Sequence, residues 1–236
     1  MKFLITNDDG VHAPGLAALA RAASTLGEVV VLAPHEHVSG CSHQATTHRP
    51  LELRSLERDR YELDGSPVDC IRVALAHLAP DVDWVLAGVN EGGNLGADTY
   101  LSGTVAAARE ACLLGKPAIA ISQYRRQLPI NWELATGWTL EIARLLIERG
   151  PEPGRFWNVN LPHPADSKQP ACVFCPLDPN PLPVQYSLED GKLRYQGNYH
   201  ERARTAGHDV DVCFSGSIAV TLMQLASMVT LPAPRS

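Results

Sequence analysis

Four short apolar runs constrain this chain most: KFLIT at 2 to 6, EVVVLA at 28 to 33, DWVLAGV at 83 to 89 and AIAIS at 118 to 122. A strand with one wet face alternates apolar and polar residues, whereas a run that is apolar throughout is buried on both faces. Stretches of helical spacing separate these runs. Residues 15 to 26 carry Leu16, Leu19, Ala23 and Leu26, and a second face of Val68, Ile71, Leu75 and Leu78 follows Gly65-Ser66-Pro67. Residues 103 to 114 form a small-residue helix, and a long one from 132 to 149 ends at Gly150. Strand and helix in alternation predict an α/β fold, a mostly parallel sheet covered by helices on both faces.

Past residue 150 the rhythm changes. Proline becomes frequent, and VQYSLEDGKLRYQG (184 to 197) places an Asp-Gly turn between alternating polar runs, a hairpin signal. We therefore expect residues 1–150 to form the core, which would carry any active site, and 151–236 a C-terminal continuation with an extended hairpin. That hairpin reads as poor in apolar surface of its own, so it is expected to lean on something, such as another subunit.

Composition narrows the function classes. A net charge of −6 and a pI near 5.8 argue against a generic partner of nucleic-acid polymers or anionic membranes. No apolar stretch reaches the roughly 18 residues of a membrane helix. The opening residues are too short for a signal peptide, and the six cysteines are scattered through apolar runs. A cytoplasmic protein with reduced thiols is expected.

In open α/β sheets ligands bind beyond the carboxyl ends of the strands, and the unusual polar residues of this chain collect there. The first strand runs into Asn7-Asp8-Asp9-Gly10, the second into a loop with Ser39-Gly40, and the third into GVNEGGNLGADTYLSGT at 88 to 104. Ser102 is placed to cap the next helix, with Gly103 and Thr104 in its first turn, so that helix end could face an anion. No Gly-Lys-Ser/Thr follows, and no GxGxxG fingerprint is present. If Asp8, Asp9, the Asn90 amide oxygen and the Ser39 hydroxyl meet, every donor is a hard oxygen, which selects Mg²⁺ or Mn²⁺ over zinc. A phosphate monoester between such an ion and the Ser102 end would be neutralised on both sides. His12, beside the acidic pair, and Asp8 are candidate proton acceptors. The Cys172/Cys175 pair lacks a second pair for zinc, and His35, His37, His43 and His48 read as solvated loop residues.

ITNDDGVHAPG, the AP and SG elements of 33 to 40, GSPVDC (65 to 70) and GVNEGGNLGAD with SGTVAAA resemble the SurE survival-protein family of metal-dependent nucleotidases. WNVNLP (157 to 162) and HDVDVCFSGSIAVT (208 to 221) resemble its later segments more loosely. The resemblance implies a Rossmann-like three-layer core and a 5'/3'-nucleotidase acting on nucleoside monophosphates, and in some members on short polyphosphate. It implies one divalent cation on Asp8, Asp9, Ser39 and Asn90, with Asp8 and Asp9 catalytic. Phosphate contacts map onto Asn94, Ser102, Gly103 and Thr104, and homodimers or homotetramers that exchange C-terminal elements are implied.

This chain departs from the family pattern at His35 and Val38, at Leu101 before the Ser-Gly-Thr, and at His208-Asp209 and Thr221-Leu222. None is a proposed ligand. A phosphoacceptor receiver domain would need a third aspartate where Asn90 stands, and an aspartyl-phosphate phosphatase would need Asp-x-Asp. A non-catalytic nucleotide- or phosphate-binding protein using the same loops is the remaining alternative.

Overall fold

A computed structural model describes residues 1–126, 129–163 and 169–225. The elements are β1 (Lys2–Thr6), α1 (Pro14–Ser24), β2 (Glu28–Pro34), β3 (Leu53–Glu57), β4 (Arg60–Leu63), α2 (Pro67–Val73), β5 (Trp84–Glu91), α3 (Gly103–Leu113), β6 (Ala118–Gln123) and α4 (Trp132–Arg149). They continue with β7 (Arg155–Leu161), β8 (Cys172–Phe174), β9 (Tyr186–Glu189), β10 (Lys192–Tyr195), α5 (Asp209–Phe214) and β11 (Ile218–Gln224).

One nine-stranded sheet runs in the order β3-β4-β2-β1-β5-β6-β7-β11-β8. Its pairs are parallel except β3 with β4 and β7 with β11. One core packs Phe3, Ile5, Leu86 and Ile121 against α1 and α4 residues such as Leu19 and Ile142. A second packs Leu4, Leu32, Val85 and Ala120 against α2 and α3 residues such as Ile71 and Ala107, and a smaller third gathers Leu95, Tyr124 and Val210. The three-layer α/β architecture expected from the apolar runs is the one observed.

The sheet does not stop at residue 150. β7, β11 and β8 extend it, and β7 buries Asn158 and Asn160 among Phe156, Trp157 and Val159. The helix expected to span Val68 to Leu78 changes after Val73 into a π-type turn over Ala74–Leu78. The part of the 151–236 region beyond residue 225 lies outside the described residues.

The hairpin differs from expectation in character. Tyr186 pairs with Tyr195 and Leu188 with Leu193, so all four share one face of the β9–β10 ribbon. They are 51 to 68% exposed, so this is an apolar surface and not a poor one. Among the described residues no helix is long and apolar enough to cross a membrane.

Candidate active site

Strand order reverses at β1: β2 lies on one side of it and β5 on the other. Such a switch point opens a crevice at the carboxyl edge of the sheet. β1 delivers Asp8 and Asp9 to that crevice, and β5 delivers Asn90.

The turn after β1 is shaped by Asn7, whose Nδ2 donates to the Gly10 carbonyl at 3.0 Å, with Gly10 at φ +100°. Asp8 consequently points inward and is 3% exposed. Its Oδ1 accepts the Thr104 hydroxyl at 2.6 Å, and its Oδ2 accepts the Thr104 N–H at 3.2 Å. Ser102 caps α3, its Oγ accepting the Val105 N–H at 3.0 Å. Gly103 permits this approach, because a Cβ there would stand 2.7 Å from Cys41 Sγ and 3.0 Å from Asp8 Cβ.

Asp9 faces the open side. Its Oδ2 accepts the Glu91 N–H at 2.9 Å, and its Oδ1 lies 3.4 Å from His37 Nδ1. Burial pushes the Asp8 carboxyl above its ordinary range, against the two Thr104 hydrogen bonds that favour its ionised form. Burial also raises Asp9, to about 6, with the neighbouring Asp8 charge adding to the rise and the Glu91 N–H opposing it. Among the described residues no lysine or arginine forms an ion pair with either carboxylate.

The Ser39 loop is fastened on both sides. Val38 N–H donates to the Asp8 carbonyl at 2.8 Å, and Ser42 donates through N–H to Leu101 O at 3.0 Å and through Oγ to Tyr100 O at 2.7 Å. Ser39, exposed between these ties, lines with Asp9 a cleft of about 440 Å³. Asn90 is positioned by an irregularity in β5, where pairing with β6 shifts between Ala87 and Asn90. Gly88 causes it: at φ +135° a Cβ would fall 2.1 Å from the Ile121 carbonyl oxygen. The Asn90 Nδ2 donates to Gly92 O at 2.8 Å, which leaves its Oδ1 as the uncommitted end.

Asn94 is held from below. Its N–H donates to Asn160 Oδ1 at 2.7 Å, while its carbonyl accepts Nδ2 of Asn158 at 2.9 Å and of Asn160 at 3.0 Å. Its own Nδ2 donates to Ser122 Oγ at 2.8 Å. Further along the same loop, Gly96 N–H donates to Asp209 at 2.7 Å, and buried Arg202 donates to Asp98 at 2.8 Å with its guanidinium over the Tyr199 ring.

The structure thus gathers Asp8, Asp9, Ser39 and Asn90 at one sheet edge, with Gly103 and Thr104 against Asp8 and Ser102 capping the same helix end. It differs from expectation in what occupies the α3 N-terminus. The anion held there is the Asp8 carboxylate, which takes both Thr104 donors, and the Ser102 oxygen accepts the cap bond while its O–H stays a donor. His12 is exposed, and the histidine brought to the acidic pair is His37. His43 is not a solvated loop residue either: it bridges buried Glu110 at 2.8 Å and Arg109 at 3.4 Å. Among the described residues no group of three or more His, Cys, Asp or Glu could hold a metal, so Cys172 and Cys175 build no such site. Glu91, Arg125 and Trp132 also line the cleft and carry no sequence signal of their own. Asn158 and Asn160 could have been noticed as amides alternating within an apolar run.

Fold and site together define a Rossmann-like α/β protein with an acidic, oxygen-rich centre at the switch point of its sheet. A family profile described as Survival protein SurE matches residues 3–178. A protein named "Putative 5'-nucleotidase" from Nostoc sp. is 49% identical over 228 residues, covering 95% of this chain and 100% of the relative. The 5'-nucleotidase SurE of Geobacter sp. is 37% identical over 211 residues, covering 89% of this chain and 79% of the relative. The crystal structure of the SurE protein from Aquifex aeolicus superposes with a TM-score of 0.86 at 32% identity, covering 97% of this chain and 95% of that one. The chain belongs to the SurE survival-protein family.

Proposed function

We propose that this protein is a 5'-nucleotidase, a metal-dependent phosphomonoester hydrolase that converts nucleoside 5'-monophosphates to nucleoside and phosphate. Nucleoside 3'-monophosphates and short polyphosphate are further substrates in this reading. The observation that carries it is the adjacent pair of buried Asp8 and half-buried Asp9, two carboxylates at a ligand-binding edge without a Lys or Arg ion-pair partner among the described residues. The names of the relatives support the reaction class.

The residues present fit a hard divalent cation. Two carboxylates, the Asn90 Oδ1 and the Ser39 hydroxyl would hold one Mg²⁺ or Mn²⁺ with oxygen donors only. A cation there supplies charge neutralisation and Lewis acidity for displacement at phosphorus. Thr104 keeps the Asp8 carboxylate in one orientation, and the Glu91 N–H does the same for Asp9. For the phosphate we propose Asn94, Ser102, Gly103 and Thr104. The Gly103 N–H takes no acceptor among the described residues, whereas Thr104 would share its donors with Asp8. Asp9 and His37 stand at the open cleft as the groups able to exchange a proton with substrate or water.

Six free thiols support a reducing, cytoplasmic setting. The exposed Tyr186, Leu188, Leu193 and Tyr195 face supports a homodimer or homotetramer that uses the hairpin.

Phosphate release from AMP with Mn²⁺, Mg²⁺ or EDTA tests the reading. Turnover is expected with metal and none with EDTA, and Asp8→Asn should lower it about a thousandfold, roughly 4 kcal/mol. Folded protein that releases no phosphate with any metal would leave a nucleotide-binding protein in its place.

A further inference from the structure

The chain has four tryptophans. Trp84, Trp138 and Trp157 are at most 6% exposed, and Trp157 already has Phe174 and the Arg149 guanidinium against it. Trp132 is the exception. It is half-buried, opens α4, and lines the same cleft as Asp9 and Ser39. The helix start does not need it there: Asn131 supplies the cap, its Oδ1 accepting the N–H groups of Glu133 and Leu134, each at 3.1 Å. Room for the indole is made by Gly15, where a Cβ would stand 3.1 Å from Trp132 Cη2 and 1.9 Å from the Val89 carbonyl oxygen.

Glu91 and Arg125 form a second wall of the cleft, paired at 2.7 Å and both more than a third exposed. An exposed pair of this kind contributes little to stability. It does present a carboxylate and the remaining guanidinium donors beside Asp9, whose Oδ2 is bonded to the Glu91 N–H. The volume of about 440 Å³ falls among small-molecule pockets, roughly 300–1,000 Å³. Its lining thus joins acidic Asp9, suited to phosphate chemistry, to an aromatic ring and to groups able to bind hydroxyls.

We propose that this cleft is the nucleoside subsite, with Trp132 the base-stacking residue and the Glu91–Arg125 pair the contact for ribose hydroxyls. The proposal rests on the phosphomonoesterase reading and adds its specificity determinant. Stacking on an indole is sequence-tolerant because every base has a π-face. The larger purine ring system covers more of it, so purine nucleotides are favoured over pyrimidine ones.

The test has two arms. Calorimetric binding of adenosine to the full metal-free chain should weaken at least tenfold in Trp132→Ala, about 1.4 kcal/mol, and be largely kept in Trp132→Phe. In the second arm, kcat/KM for AMP relative to glycerol 2-phosphate should fall about tenfold in Trp132→Ala, with the fall smaller for CMP, and recover in Trp132→Phe. A ratio that stays the same, or a loss shared equally by both substrates, would overturn the assignment. So would equal adenosine binding by wild type and Trp132→Ala, or none by wild type. If wild type hydrolyses neither substrate, the phosphatase reading fails, and adenosine binding alone decides the subsite.

Discussion

The carboxyl edge of the sheet and the β9–β10 hairpin both hold side chains in places that cost free energy, but of opposite kinds. At the sheet edge the excess is charge: Asp8 and Asp9 are withdrawn from water and kept there by Thr104 and the Glu91 N–H. On the hairpin the excess is apolar surface: Leu188 and Leu193 are each 68% exposed on one face. A cation would relieve the first arrangement, and another protein surface the second. Between them runs the segment from Tyr199 to Asp209, which continues from the hairpin and holds the Asn94 loop through Asp98 and Gly96.

The largest effect is expected in that connecting segment. Arg202→Ala would leave Asp98 with the Tyr199 hydroxyl but without its charged partner, and cutting a buried ion pair costs about 3–5 kcal/mol. The urea midpoint should fall accordingly, and the Asn94 loop should become more susceptible to proteolysis. A midpoint within error of wild type would mean that the segment does not support the site.

The charge excess has a pH signature. Asp9 titrates near 6 in the folded chain against an ordinary value of 3.8. The folded state therefore binds the proton more tightly, and this contribution to stability is present below about pH 4 and lost as pH rises through 6. At about 1.4 kcal/mol per unit, the span corresponds to up to about 3 kcal/mol. Metal-free Asp9→Asn should gain on metal-free wild type by that order between pH 4 and pH 7, read from paired denaturation curves. A gap that stays constant with pH would show that Asp9 is not held in a desolvated place.

On the hairpin the expected effect is smaller for the fold and larger for assembly. A buried leucine is worth about 1.5–3 kcal/mol, so Leu188→Glu should weaken self-association at least tenfold in sedimentation velocity. The melting point of the core should hardly move. An unchanged sedimentation profile would remove the hairpin from the interface.

Much of the first 122 residues was legible because strands buried on both faces are written as apolar runs, and because the loops after them carry concentrated Asp, Asn, Ser and Gly. β7 was hidden by Asn158 and Asn160, buried amides that interrupt its apolar run while they hold Asn94. β8, with three residues, is too short to announce itself. Proximity in sequence pointed to His12, yet the turn at Gly10 carries it to the surface, and the Ser39 loop brings His37 to Asp9 instead. The helix-capping reading of Ser102 held, but a resident anion on Thr104 could not be seen without the fold. Cross-strand partnership, which collects Tyr186, Leu188, Leu193 and Tyr195 on one face, also needs the register.

The central claim is that Asp8 and Asp9 form the charged half of a divalent-cation site. Mn²⁺ binding to the full chain near pH 7.5, followed for wild type and Asp8→Asn, tests it most directly. Saturation at one ion per chain in wild type, with affinity at least a hundredfold weaker in Asp8→Asn, is the predicted result. Mn²⁺ binding that Asp8→Asn leaves intact, or its absence from folded wild type, would contradict it.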